Sequence, residues 1–163
     1  MSTPQTTLRD RAWTAAAAVP DPELPALTIA DLGILRGIDL IDGVIEVTIT
    51  PTYSGCPAMA AITLDIECAL HEAGIENARI RLVLSPAWTT DWLTNEAHEK
   101  LTREGIAPPG RRATNRLFDN TLIPCPRCGS GATERLAAFG ATACKSLWRC
   151  TACREPFDHF KCH

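Results

Sequence analysis

The sequence predicts an α+β protein: a small α/β domain on a three-stranded mixed sheet (a hairpin plus a βαβ crossover, with helices), followed by a small β module of the zinc-ribbon type. Three observations predict it. Two β-branched runs flank Asp42-Gly43 in ILRGIDLIDGVIEVTIT. The apolar period then changes to that of a helix and back to alternation. Two Cys-x-x-Cys pairs, Cys125/Cys128 and Cys150/Cys153, lie near the end of the chain.

In chain order, MSTPQTT (residues 1–7) reads as a disordered tail. Good helix formers fill residues 8–19, and the alanines at 15–18 reflect helix propensity. PDPELP stops that helix, because three prolines cannot continue it. TIADLG makes a short helical turn with Thr28 as its N-cap. Asp42-Gly43 suits a type I′ turn, so residues 34–41 and 44–50 form an antiparallel hairpin. Over residues 57–74, Met59, Ile62, Ile66, Leu70 and Ala73 recur on one helix face, and Gly74 is a natural C-cap. ARIRLVLS (residues 78–85) alternates as a third strand, and residues 94–104 read as a short helix. The expected division is a tail over 1–7, a first domain over 8–104, a linker over 105–122 and a ribbon module over 123–163. Arg111, Arg112 and Arg116 in the linker read as solvated charges, with a grip on an acidic partner as the competing reading.

Hydrophobic residues make up 45% and charged residues 21% of the 163, globular values that exclude wholesale disorder. A formal charge of −3 argues against a protein that coats nucleic acid. No window reaches the apolar length of a membrane span, and the first residues lack a basic region followed by an apolar core. The cytoplasm is the expected compartment. Six of the eight cysteines, Cys125, Cys128, Cys144, Cys150, Cys153 and Cys162, fall in the last quarter. In a reducing compartment that clustering favours metal ligation over disulfides.

Element order also places a site. A hairpin sets the start of its first strand beside the end of its second, and a right-handed crossover makes the second and third strands parallel. Three loops are then expected to converge on one sheet edge: ADLG, TYSGCP and SPAWTTDW. Carboxyl ends of parallel strands are where open α/β sheets place their sites. Cys56 lies in the middle of that edge. Pro57 suits the first helical position, which makes Cys56 the N-cap or its neighbour, where the helix dipole and unpaired N–H groups favour a thiolate. Asp31, Thr89, Thr90 and Asp91 are candidate polar contacts, and Trp88 and Trp92 candidate walls. The competing reading makes Cys56 a small buried hydrophobe and the tryptophans core. Cys68, in a weaker stripe with Ala61 and Leu64, is expected to pack on the N-terminal helix or on a second subunit.

The two Cys-x-x-Cys pairs can each form a knuckle presenting two thiolates, and two knuckles complete a tetrahedral four-sulfur site. Structural Zn²⁺ is the expected occupant; spacing alone does not separate it from iron. Cys144 and Cys162, with His163 or His159, make a candidate second metal or thiol site. Buried thiols and surface histidines are the competing reading.

DPELPALTIADLGIL, VIEVTITPTYSGCPAM and LSPAWTTDWLT resemble the MIP18-like domain shared by iron–sulfur cluster assembly targeting factors. With LTREGIAPPG, CPRCGS and CTACREPFDHFKCH, the resemblance extends over nearly the whole chain. It is then to the family of accessory D subunits encoded with bacterial phenylacetyl-CoA epoxidases, the ring-opening monooxygenases of phenylacetate catabolism. The resemblance implies an assembly domain with a zinc-ribbon tail, no catalytic residues, and a role in maturing the oxygenase by assisting iron or iron–sulfur cluster insertion. The family's reactive cysteine falls on Cys56, and its acidic motif on Asp21, Pro22 and Glu23. Implied cofactors are structural zinc and a transient iron or iron–sulfur cluster. Implied partners are the oxygenase or reductase subunits of that system, with a homodimer as a further candidate assembly.

Three other functions compete. One is a non-catalytic interaction subunit with the ribbon as its docking surface. A second is a thiol enzyme using Cys56, for which neither His71 nor His98 is placed as a base. The third, a nucleic-acid-binding ribbon, runs against the acidic charge.

Overall fold

The computed structural model describes residues 4–110 and 122–161. The chain divides into two units, Met1–Trp88 and Thr89–His163.

In the first unit β2 (Val44–Ile49) is the middle strand of a three-stranded sheet, antiparallel to β1 (Leu35–Ile41) and parallel to β3 (Ala78–Leu82). Asp42 and Gly43 take φ values of 51° and 80°, the paired positive values of a type I′ turn. The crossover is α2 (Ala58–Glu72). Beyond its end, the Gly74 and Ile75 N–H groups donate to the carbonyls of His71 and Leu70, closing the helix in the way a C′ glycine allows. Ile62, Ile66 and Leu70 of α2 and Ile45, Val47 and Ile49 of β2 are completely buried. Each such side chain contributes about 1.5–3 kcal/mol of burial. α1 (Pro4–Ala17) packs against β1 and α2.

The second unit opens with a 3₁₀ turn (Thr90–Trp92) and α3 (Asn95–Arg103). Thr94 caps α3, its Oγ1 accepting from the Ala97 N–H at 3.0 Å. A four-stranded sheet follows in the order β4-β7-β6-β5. β5 (Thr133–Ala137), β6 (Lys145–Cys150) and β7 (Pro156–Phe160) are antiparallel neighbours, and β4 (Ile106–Ala107) lies parallel to β7. Ala107, Ile123, Cys125, Cys150 and Phe157 form the core, with Trp148 packed on it.

The α+β class, the hairpin, the crossover and the second sheet agree with expectation; several details differ. α1 begins at Pro4, so residues 4–7 of the expected tail are helical; a proline in the first turn loses no intrahelical bond. TIADLG makes the expected single helical turn with Thr28 as its cap, the Leu32 N–H donating to the Thr28 carbonyl at 3.1 Å. Thr28 and Asp31 brace a tight turn reciprocally, the Thr28 N–H donating to Asp31 Oδ2 at 3.0 Å and the Asp31 N–H to Thr28 Oγ1 at 3.1 Å. Cys68 and Leu64 are exposed, so neither packs on α1. α3, expected to close the first domain, lies in the second unit, and β4 forms inside the span expected as linker. Its two backbone partners on β7 give β4 a place that no side-chain pattern could announce. Arg111, Arg112 and Arg116 lie outside the described residues. No helix among the described residues is long and apolar enough to cross a membrane.

The crossover helix therefore carries the first unit's stability on one face only. Ile66→Ala, fully buried in the wild type, is expected to cost about 2–5 kcal/mol. Leu64→Ala, at a side chain 59% exposed, is expected to stay within about 0.5 kcal/mol. Urea unfolding followed by circular dichroism measures both.

Candidate functional site

The cysteine pairs of the second unit meet. The Sγ atoms of Cys125, Cys128, Cys150 and Cys153 all lie within 4.8 Å of one another. Cys125–Cys153 are 3.8 Å apart and Cys128–Cys150 3.6 Å. A tetrahedral zinc tetrathiolate with Zn–S bonds of about 2.3 Å has sulfur–sulfur edges of about 3.8 Å, so the four thiols fit that ion. They are too far apart for a disulfide, whose S–S bond is about 2.05 Å.

The two knuckles are built alike. The Cys125 N–H donates to the Ser130 carbonyl at 2.9 Å, and the Cys150 N–H to the Glu155 carbonyl at 3.0 Å, each five residues on. Gly129 and Arg154, each one residue past its pair, take φ values of 74° and 66°. Glycine adopts that conformation freely, whereas Arg154 bears a cost of about 1–2 kcal/mol. The turn aims main-chain N–H groups at sulfur, with Cys153 N 3.4 Å from Cys150 Sγ. That N–H is the main reason the Cys150 thiol is lowered to about 7, against burial and with help from the Ala152 N–H and the neighbouring thiols. Cys153 is pushed up to about 12: the Glu155 N–H favours its thiolate, but burial and the three other thiols outweigh it. Four thiolates can coexist here only around a cation.

The ribbon sheet carries a buried histidine, His159, in register with Ser146. The Trp148 indole donates to Ser146 Oγ at 2.9 Å, and Ser146 Oγ lies 3.4 Å from His159 Nδ1. The Ser146 hydroxyl, accepting from the indole, still has its own proton and a second lone pair to offer Nδ1, so the contact suits either imidazole tautomer. Nε2 is buried with no hydrogen-bond partner among the described residues. Burial, and then the charge of Lys161, lower His159 to about 4. Cys144 is buried nearby in sequence, its Sγ 3.0 Å from Thr142 Oγ1. Cys162 and His163, its candidate co-ligands, lie outside the described residues.

In the first unit, Cys56 precedes α2 by two residues. Pro57 is the N-cap, already helical at φ −68° and ψ −20°, so Cys56 is the cap's neighbour. The Cys56 N–H donates to the Tyr53 carbonyl and its carbonyl accepts from Met59. The half-buried thiol is not the thiolate that the helix mouth suggested. Its pKa is raised, first by desolvation and then by the charges of Glu23 and Asp21; the Ala58 N–H and the Tyr53 side chain pull the other way without prevailing. Asp21 Oδ1 accepts from the N–H groups of Glu23 and Leu24, both at 2.8 Å, and this turn carries Glu23. Asp21, Glu23 and Tyr53 are thus the groups that act on Cys56. Their arrival from the segment around residue 21 and from a turn carries no period that a sequence pattern would show, although Tyr53, the chain's single tyrosine, stands only three positions away.

The other predicted loop residues have structural partners. Trp88 is buried, its indole donating to the Leu32 carbonyl at 2.8 Å, which ties the segment after β3 to the ADLG loop. Asp31 braces Thr28. Thr89 and Asp91 belong to the second unit, where Thr89 Oγ1 caps the 3₁₀ turn by accepting from the Asp91 N–H at 3.3 Å.

Residues 9–81 match the family model described as an iron–sulfur cluster assembly protein, and residues 110–161 match that described as the PaaD zinc beta ribbon domain. The chain is 44% identical over 150 residues, covering 92% of it and 90% of the relative, to a protein of Escherichia coli (strain K12) named as a D subunit of 1,2-phenylacetyl-CoA epoxidase. It is 30% identical over 92 residues, 55% of the chain and 89% of the relative, to the Fe-S protein maturation auxiliary factor YitW of Bacillus subtilis (strain 168). The crystal structure of a domain of unknown function from Bacillus anthracis has the same fold, with a TM-score of 0.54 at 24% identity over 60% of this chain and 93% of that one. The maturation relatives are named as auxiliary factors, in line with the expectation of a protein that is not an enzyme.

Two outcomes follow for the second unit. Chelation of its metal at neutral pH is expected to unfold the ribbon sheet while α2 and its sheet persist, because two of the four ligands are core residues; amide exchange after chelation separates the two, and Cys128→Ser should reproduce the loss. His159 makes the ribbon acid-sensitive. An imidazole at 6.5 when unfolded and about 4 when folded contributes stability that is complete above 6.5 and lost as pH falls toward 4. His159→Gln should lack this component, so its melting temperature should fall less than the wild type's between pH 7 and pH 5.

Proposed function

The chain belongs to the family of phenylacetyl-CoA epoxidase D subunits, and from that premise we propose that it is an accessory maturation factor of a phenylacetyl-CoA epoxidase. It assists delivery of iron or an iron–sulfur cluster to an oxygenase or reductase component, in the cytoplasm. The zinc ribbon holds the shape of the second unit and docks the client; Cys56 handles the cargo.

The observation that carries this reading is the setting of Cys56, a half-buried thiol at the start of α2 that feels the charges of Glu23 and Asp21. Burial first, and the charges of Glu23 and Asp21 after it, keep the thiol protonated until a cation arrives, and those charges give a negative potential that draws one. An arriving metal cation displaces the proton, and Cys56 becomes a soft thiolate ligand while the carboxylates balance the charge. Tyr53 and the Ala58 N–H stabilise that thiolate by hydrogen bonds. One thiol leaves coordination positions open, which suits cargo that must leave again.

Cys56→Ser is expected to keep its fold and ribbon metal, yet to lower the metal occupancy and activity of the co-expressed epoxidase at least about tenfold. Elemental analysis of both proteins, purified without oxygen, reads this directly. Full client occupancy beside the variant would eliminate Cys56 as cargo ligand and favour an interaction subunit.

A further inference from the structure

The described sheets have four edges, and three are closed to a further strand. β1 carries a bulge between Leu35 and Gly37, its Ile38 carbonyl accepts from Arg9 Nε at 3.0 Å, and α1 packs on it. β5 carries a bulge between Arg135 and Ala137. β4 has only two residues. Bulges, covering elements and shortness are the usual means of blunting an edge. β3 has none of them: its register with β2 runs unbroken from Ala78 to Leu82.

The ladder determines which main-chain groups of β3 point outward. The Ile45 N–H donates to the Asn77 carbonyl and the Val83 N–H to the Ile49 carbonyl, both toward β2. In a parallel pair alternate residues bond to one neighbour. Arg79 and Arg81 therefore turn their amides to β2 as well, while Ala78, Ile80 and Leu82 turn theirs to the open edge. Side chains sort on the same period. Arg79 and Arg81 are in register with Glu46 and Thr48, whereas Ile80 and Leu82 are in register with Val47 and Ile49. One face at the edge is basic and the other apolar.

Both faces are accessible. Leu82 and Leu84 are 52% and 58% exposed. The Arg79 and Arg81 side chains are 56% and 61% exposed while sharing the single Glu46 carboxylate, at 2.7 and 3.3 Å, so the trio keeps a net positive charge. Residues 1–88 hold eleven acidic and five basic side chains, so this basic edge stands against the sign of its own unit.

We propose that β3 is a docking strand, accepting an extended segment of a partner protein in which acidic residues alternate with apolar ones. The partner's backbone would continue the sheet through the amides of Ala78, Ile80 and Leu82, its carboxylates would face Arg79 and Arg81, and its apolar side chains would cover Leu82 and Leu84. A second copy of this chain fits poorly. Antiparallel pairing centred on Ile80 or Arg81 sets arginine against arginine, a repulsion that an acidic segment converts to attraction. This inference goes beyond cargo handling and stands whether or not Cys56 carries a cation.

The test uses the full chain with its metal and, as probe, a short blocked peptide alternating glutamate and valine, read by fluorescence anisotropy. Its lysine–valine counterpart is expected to bind at least about tenfold more weakly. N-methylation of alternate amides on the peptide should weaken it by about tenfold or more, as main-chain pairing requires. On the protein side, Leu82→Pro removes an outward amide without touching the ladder to β2 and should have the same effect, whereas Leu82→Ala, which keeps the amide, should lose only a fewfold. Arg81→Glu should reverse the charge preference and needs no proline to be tolerated. Absence of glutamate–valine binding at millimolar peptide, indifference to N-methylation, or equal affinity for both peptides would overturn the proposal. So would a wild-type dimer in sedimentation velocity that Leu82→Pro abolishes, which would make a second copy the occupant.

Discussion

Pairing of β2 with a strand on each side is the constraint from which the first unit follows. An antiparallel neighbour can be reached by a two-residue turn, and Asp42-Gly43 supplies it. A parallel neighbour cannot; it requires a crossover, and α2 is that crossover. Once β2 is buried between the two, with Ile45, Val47 and Ile49 fully covered, α2 must lie across it and start near its carboxyl end. The loop that carries Cys56 is the short span between those two ends. The position of the thiol is thus a consequence of topology. Its chemistry comes first from burial and then from its neighbours, among them the charges of Glu23 and Asp21 on the turn around residue 21.

The second unit depends on a different interaction. Its core is small, and two of its members, Cys125 and Cys150, are metal ligands. Burying thiols beside Phe157 and Ile123 is favourable only while they are neutral or neutralised by a cation. Without one, the four sulfurs spread their proton affinities apart, Cys150 falling to about 7 and Cys153 rising to about 12. With one, they become ligands whose binding energy is also folding energy. The matching bonds of the two knuckles and the strained φ of Arg154 are the local expression of that requirement.

What was legible in the sequence shares one property: it is carried by residues close together along the chain. The type I′ turn, the period of α2, the C-terminal closure at Gly74 and the Cys-x-x-Cys spacings are all of this kind. What was not legible depends on neighbours distant in sequence or on too few residues. β4 is two residues long and exists only because β7 is beside it. The stripe of Leu64 and Cys68 has helical spacing, yet α1 meets α2 elsewhere and leaves it exposed. The raised pKa of Cys56 reverses an inference from the helix mouth alone. The N–H groups of the helix end are outweighed by burial, with smaller additions from the charges of Glu23 and Asp21 more than thirty residues away in sequence.

The two thiol environments are opposites, and the contrast bears on their division of labour. In the ribbon, four sulfurs surround one position and complete a coordination sphere, which is the arrangement of a metal meant to stay. At Cys56 a single sulfur is offered, which completes no sphere. A ligand set that leaves positions open binds less tightly and lets a recipient's own ligands enter before the donor's leave. On the proposed reading, the protonated resting state adds a second brake, since release of the cargo is assisted when the thiol regains its proton. In the proposed carrier role, the charges of Glu23 and Asp21 act on both steps in opposite senses, attracting the cation on arrival and adding to the burial that favours reprotonation on departure. On the proposed reading, a carrier thiol works better with its pKa raised than lowered, because a permanently ionised thiolate would hold the cargo it has to surrender.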